Sequence, residues 1–340
     1  MIRTERSAFI AAWAMVCVGC SSPSLPGVDA GVAPPDASPL TDASPGDAGR
    51  LDGGWLDASG LDGGERPDAG ADDDAGQALG AECASLPPGY AKQLCLKPWI
   101  QDLARRLGPA DALCQAEELL DRGEVSDCHL LAHFVGEVVF EQQERDAARS
   151  LVACPATCLS GCGHQVMQEV VELRGLNRIF REQGSEAVDQ ELRQLVRLCR
   201  DYEDDDPDQF ALCIHGIGHG LLSSGFLGPV EAAELCDQEL GVEGFACASG
   251  VFMEYTSRYI RLDEAQLLES LPTICELGGN QWEDLCWRNV GESLMWFYGH
   301  QLERVVERCN RLPVSDDAKA CREGAEVEAG VADMQRNTCP

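Results

Sequence analysis

The sequence predicts an all-α fold made of disulfide-stapled helical hairpins, arranged as an open α-solenoid or closed into an α/α toroid. Three observations carry this. Beyond residue 81 the cysteines fall in pairs, 83/95, 114/128, 154/158, 199/213, 236/247, 275/286 and 309/321, whose first members lie 31, 40, 45, 37, 39 and 34 residues apart. That is the period of helical-hairpin repeats. The residues leading into these cysteines carry apolar side chains at helical spacing, such as Val188, Leu192, Leu195 and Leu198 before Cys199. No stretch sustains the alternation of period two that a half-buried strand needs.

The N-terminus suggests a compartment. Arg3 and Arg6 precede an 11-residue apolar run from Ala8 to Val18, too short to span a bilayer and suited to a signal-peptide core. The run ends in Val18-Gly19-Cys20-Ser21-Ser22. This resembles the lipobox of bacterial lipoproteins, with Cys17 standing where leucine is usual. The resemblance covers residues 1–21 and implies that Cys20 is lipidated and becomes the mature N-terminus. Ser21 in place of aspartate implies sorting to the outer membrane, so the membrane is a partner through the anchor. An ordinary secretory signal is the alternative, and export follows from either.

Residues 21–80 read as a linker of Asp, Ala, Gly, Pro and Ser. Asp-Ala-Gly recurs at 29, 47, 68 and 74, and 12 acidic residues face two basic ones. So little apolar surface does not offset the entropy of ordering, and like charges extend the chain. Calcium binding by these aspartates is disfavoured because they lack a dense ligand loop. With a formal net charge of −32, the whole chain repels nucleic acid and anionic lipid headgroups, which makes both poor candidates as ligands, and no nucleic-acid partner is expected.

Residues 81–340 form the repeat domain. Each unit reads as helix A, a cysteine, a short turn, a second cysteine and helix B. Helix A of one unit starts at Pro229 and runs into Leu235-Cys236, with proline at the helix N-terminus. Pro272 should end or distort the helix before Cys275. A bridge within each pair closes a loop of about 4 to 14 residues and contributes about 2–3 kcal/mol. In an exported protein such cysteines are oxidised. Spacing alone does not dictate connectivity; pairing within each unit repeats along the chain and leaves Cys162 and Cys339 over. In architecture the domain resembles the disulfide-stapled helical-repeat proteins, such as the secreted Sel1-like cysteine-rich proteins, although that family's consensus is not visible. Gly161, Gly216, Gly218 and Gly250, each costing a helix about 1 kcal/mol, make sense where B helices approach closely.

Histidines follow the same frame. Cys213-Ile214-His215-Gly216-Ile217-Gly218-His219 has glycines at +3 and +5 and histidine at +6, and Cys158 to His164 shares that pattern. The repeat from Cys247 puts Met253 at +6, and the repeat from Cys286 puts Glu292 there. Five of the six histidines, His129, His133, His164, His215 and His219, follow a repeat cysteine within six residues; His300 lies outside the pattern and reads as a surface or capping residue. His129/His133 and His215/His219 are i, i+4 pairs, each on one helical face. Packed helices about 8–10 Å apart bring such faces within reach of one ion. The sharpest reading has His133, His164, His215 and His219 share a metal, with His129 as a fifth ligand or its neighbour. Imidazole and carboxylate donors suit a transition metal, zinc first, with copper or iron as alternatives.

Three functions stay open on the sequence. The cluster binds a metal; or the metal activates water for a hydrolase, with Glu254 or Glu137 as general base; or the histidines are packing and the surface is a scaffold for a protein or polysaccharide. Thiol chemistry through Cys162 is a further, weaker alternative in an oxidising compartment.

Overall fold

The computed structural model of the chain describes residues 83–200, 207–225, 227–259, 264–278 and 281–334. The segment 1–20 expected to be a signal, the expected linker 21–80, Cys20, expected to be lipidated, and Cys339 lie outside them. The described residues form helices α1 (Tyr90–Leu107), α2 (Pro109–Asp121), α3 (His129–Gln142), α4 (Ala147–Ala153) and α5 (Gly161–Arg174). Then follow α6 (Leu176–Gln183), α7 (Ser185–Cys199), α8 (Pro207–Ser223), α9 (Pro229–Leu240) and α10 (Gly244–Ser257). The last are α11 (Glu264–Ser270), α12 (Glu283–Phe297), α13 (Leu302–Cys309) and α14 (Ser315–Met334). No strand occurs among the described residues, and none of their helices is long and apolar enough to cross a membrane. The proline signals hold: Pro229 opens α9, and Pro272 lies in a 3-10 turn that ends α11.

Helices α5, α8, α10, α12 and α14 are the B helices of successive hairpins, and α3 precedes them in the same row. Glycine sets how closely they pack. A Cβ on Gly136 of α3 would lie 2.5 Å from the Cys162 carbonyl oxygen of α5, and one on Gly216 of α8 would lie 2.8 Å from His164 O. On Gly218 and Gly250 a Cβ would run into the backbones of Cys247 and His215, between α8 and α10. Gly291 and Gly324 do the same for α12 and α14, against Cys321 and Arg288. Backbone meets backbone along the row, as the glycines by the cysteines implied, which outweighs their cost in helix propensity.

The row turns back on itself. A Cβ on Gly299, after α12, would lie 2.6 Å from Pro88 O, just before α1. His300 Nε2 lies 3.5 Å from Asp127 before α3 and 3.7 Å from Glu328 of α14. First and last hairpins therefore touch, which selects closure over an open solenoid. The reading of His300 as a surface residue is corrected: its side chain is 10% exposed, and it sits at this seam.

Five of the expected cysteine pairs are bridged: 83–95, 199–213, 236–247, 275–286 and 309–321. Two are not. Cys154 bonds Cys162, and Cys128 bonds Cys158 across 30 residues, in place of 114/128 and 154/158. Cys162, expected to be left over, lies in α5 where Cys213 and Cys247 lie in α8 and α10, so it is the B-helix partner of its hairpin. Cys114 is also disulfide-bonded, and not to Cys128. It sits two turns before the end of α2, about 10 Å along the axis from the next turn, so it does not meet the start of α3. Seven disulfides among the described residues point to an oxidising, extracytoplasmic compartment.

Candidate metal centre

Three neighbouring helices supply the five predicted histidines. His129 and His133 stand one turn apart on α3, His164 is on α5, and His215 and His219 stand one turn apart on α8. All five are buried, at 2–9% exposure. Ring centroids lie 5.0 Å apart for His129 and His164, 5.1 Å for His164 and His215, and 5.8 Å for His133 and His219. The close packing permitted by glycine brings these rings together. Bridging of Cys154 to Cys162 also moves the register of α5. His164 follows its cysteine by two, as His215 does, and Gln168 takes the place of His219.

Hydrogen bonds on the outer ring nitrogens decide where the inner ones point. His129 Nδ1 lies 3.1 Å from Cys158 O, and His133 Nδ1 lies 3.2 Å from Gln165 Oε1. Gln165 Nε2 donates to Glu169 Oε1 at 3.0 Å, which fixes that amide with its oxygen toward His133. Both oxygens only accept, so both Nδ1 atoms carry the proton and both Nε2 atoms present a lone pair. Those two Nε2 atoms face each other at 3.1 Å. Two facing lone pairs repel unless a proton or a cation sits between them. Two nitrogens about 2.0–2.1 Å from one tetrahedral ion stand about 3.3 Å apart, close to the separation found.

The acceptor for His129 is held by unusual backbone. Cys158, Leu159 and Ser160 take φ values of 54°, 54° and 53°, three consecutive left-handed residues without a glycine. Such residues cost roughly 1–2 kcal/mol each. The Cys128–Cys158 bridge ties this turn to the start of α3, and its carbonyl receives the imidazole. Strained backbone that persists at a polar cluster is a mark of functional positioning.

His164 completes the group. It is 2% exposed, and neither its Nδ1 nor its Nε2 has a hydrogen-bond partner. Leaving a buried polar atom unpaired costs about 1–3 kcal/mol. One nitrogen from each of His129, His133 and His164 lies within 4.8 Å of the others, so this buried triad has the donors and spacing to bind a metal ion. Burial, with repulsion among the rings, pushes the imidazoles of His133 and His164 well below their ordinary value, and burial does the same to His215. At neutral pH they are uncharged, the form that ligates. The sharper sequence reading grouped His133 with His164, His215 and His219; the geometry instead puts His129 in the tight set.

His215 and His219 form a second pair of the same shape, with Nε2 atoms 3.1 Å apart. His219 Nδ1 faces Glu254 Oε2 at 3.4 Å, while His215 Nδ1 has no hydrogen-bond partner, the nearby Ala246 backbone falling short of bonding geometry. Of the two carboxylates considered as general base, Glu254 thus orients an imidazole. The oxygens of Glu137 accept from Lys97 Nζ at 2.8 Å and Gln101 Nε2 at 2.7 Å.

Sequence reasoning missed a polar cluster at the seam. The Asp127 carboxylate accepts from the His129 backbone N–H at 3.0 Å and from Gln93 Nε2 at 2.7 Å. Burial pushes its carboxyl up, but His300 and Gln93 outweigh that and hold it below its usual range. Burial lowers His300 too, and Asp127 and Glu328 raise it by more. Glu292 and Glu328 are buried and pushed up to about 8, Glu328 with the added repulsion of Glu292 and Asp127. Trp296 links the two clusters: its ring stacks on His129 at 6.4 Å, and its Nε1 donates to Glu328 at 2.9 Å. The signal was present in Glu292, which takes the +6 place of His219, but nothing in the sequence says that His300 returns to Asp127.

No protein-family model, no curated protein and no solved structure matches this chain. The functional reading therefore rests on the site itself.

Proposed function

We propose that the protein is an exported, lipid-anchored metal-binding protein of the bacterial cell envelope. His129, His133 and His164 hold a transition-metal ion, zinc first, with copper or iron accepted by the same nitrogen donors. A single observation carries this reading: His164 is buried with both nitrogens unpaired, beside two Nε2 lone pairs that face each other at 3.1 Å. Packing histidines would have partners. Binding is favoured over hydrolysis because Glu137 is engaged by Lys97 and Gln101 and Glu254 faces an imidazole, so neither is left to activate water. The envelope location is supported by the disulfides and by the lipobox-like residues around Cys20, with residues 21–80 as an acidic stalk.

The test uses full-length protein recovered from envelope fractions and analysed for metal by plasma mass spectrometry. Stoichiometric metal is expected in the wild type. His164→Ala should lose most of it while keeping its helical circular dichroism. A wild type without metal, or equal metal in both proteins, refutes the binding reading. In the same preparations, detergent phase partitioning reads the anchor: wild type enters the detergent phase and Cys20→Ala does not. Equal partitioning of the two refutes lipidation.

A further inference from the structure

We infer that His164 bridges two metal ions, one held with His129 and His133 and the other with His215 and His219. This rests on the metal-binding reading above and deepens it. Only one nitrogen of His164 is needed by the first triad, yet both are buried and unpaired. The ring stands between two imidazole pairs of the same construction, its centroid 5.0 Å from His129 on α3 and 5.1 Å from His215 on α8. In each pair the two Nε2 atoms face each other at 3.1 Å. In each pair at least one Nδ1 faces an oxygen: Cys158 O and Gln165 Oε1 on α3, and Glu254 Oε2 on α8.

An imidazole offers two in-plane nitrogens on opposite sides of the ring, so one ring serves two ions when its remaining N–H proton leaves to solvent as the second ion binds. His164 is the residue placed to do this: its helix α5 lies between α3 and α8, and Gly136 and Gly216 bring both of those helices against its backbone. The second ion then has three nitrogens, and water or another small ligand completes its coordination. Glu254 would hold His219 in the ligating tautomer, as carboxylates behind metal-bound histidines do.

The full-length protein would be stripped with chelator, loaded with Zn2+ and dialysed, and its zinc counted. Two ions per chain are expected in the wild type. His219→Gln and His215→Gln should each retain one. Loaded instead with Cu2+, the wild type should show a spin-coupled electron paramagnetic resonance signal, because one imidazole joins both ions. One ion in the wild type, two ions retained by both variants, or two uncoupled Cu2+ signals overturns the bridge. A single ion removed by His164→Ala would leave the binding reading standing. No bound ion at all overturns both. The wild-type count and spectrum decide the matter even if a variant fails to fold.

Discussion

His164 and Glu292 show how one repeat frame carries opposite chemistry. Burial depresses the imidazoles of His133, His164 and His215, so unfolding lets them take up protons below about pH 6.5. Their contribution to stability is present above that value and is lost as pH falls. Glu292 runs the other way. Its carboxyl is raised to about 8, so between about 4.5 and 8 the folded state holds a proton that the unfolded chain gives up, and stability falls as pH rises through that window. Glu292→Gln should therefore raise the Tm relative to wild type at pH 8.5 and leave it unchanged at pH 4.5. A gain of about 1–2 kcal/mol corresponds to roughly 2–8 °C for a domain of this size. Thermal melts of both metal-free proteins at the two pH values check this, since the histidine contribution cancels in the difference. An equal shift at both values would assign the effect to packing.

Between helices, glycine is the determinant. A methyl on Gly218 meets the Cys247 backbone across the α8–α10 contact, and backbone does not step aside as a side chain does. Gly218→Ala should cost about 1–3 kcal/mol or more and separate the two helices. Gly163 is the control on α5: its added Cβ would lie 3.9 Å from Leu151 Cδ2, an ordinary contact. Gly163→Ala should raise stability by roughly 0.5–1 kcal/mol through helix propensity alone. Chemical denaturation of the two variants tests the close-packing account, which fails if both change stability in the same direction. Elsewhere in the row, Thr256 of α10 and Ser293 of α12 are joined by a 2.8 Å hydrogen bond, a polar contact beside the glycine ones.

At the scale of the whole domain, the seam is held by charge as well as by packing. His300 lies between Asp127 of the first hairpins and Glu328 of the last helix, and Asp127 is 2% exposed. Removing the cation leaves a buried carboxylate with only neutral donors, Gln93 Nε2, the Ser126 hydroxyl and the His129 backbone N–H. Breaking a buried pair from one side costs about 3–5 kcal/mol. His300→Ala should lower the Tm and speed amide hydrogen exchange in α1 and α14 before the central helices. Uniform exchange across the domain would show that the seam does not hold the closure.

The residue pattern alone was enough to determine the helical class, the hairpin period and the identity of the five clustered histidines, and choosing the pairing that repeats along the chain matched five of the seven described disulfides. Each of these is a local property, readable from cysteine spacing, from apolar residues three and four apart and from histidines one turn apart. The exceptions are also physical. Cys154, Cys158 and Cys162 are evenly spaced, so spacing did not say which of the last two enters the hairpin; the left-handed turn at 158–160 did. Which histidines form the tight set, that His164 is without partners, and that His300 returns to Asp127 depend on the distance between helices and on closure of the row. Those distances come from glycine contacts between residues up to dozens of positions apart, and only the assembled chain brings them together.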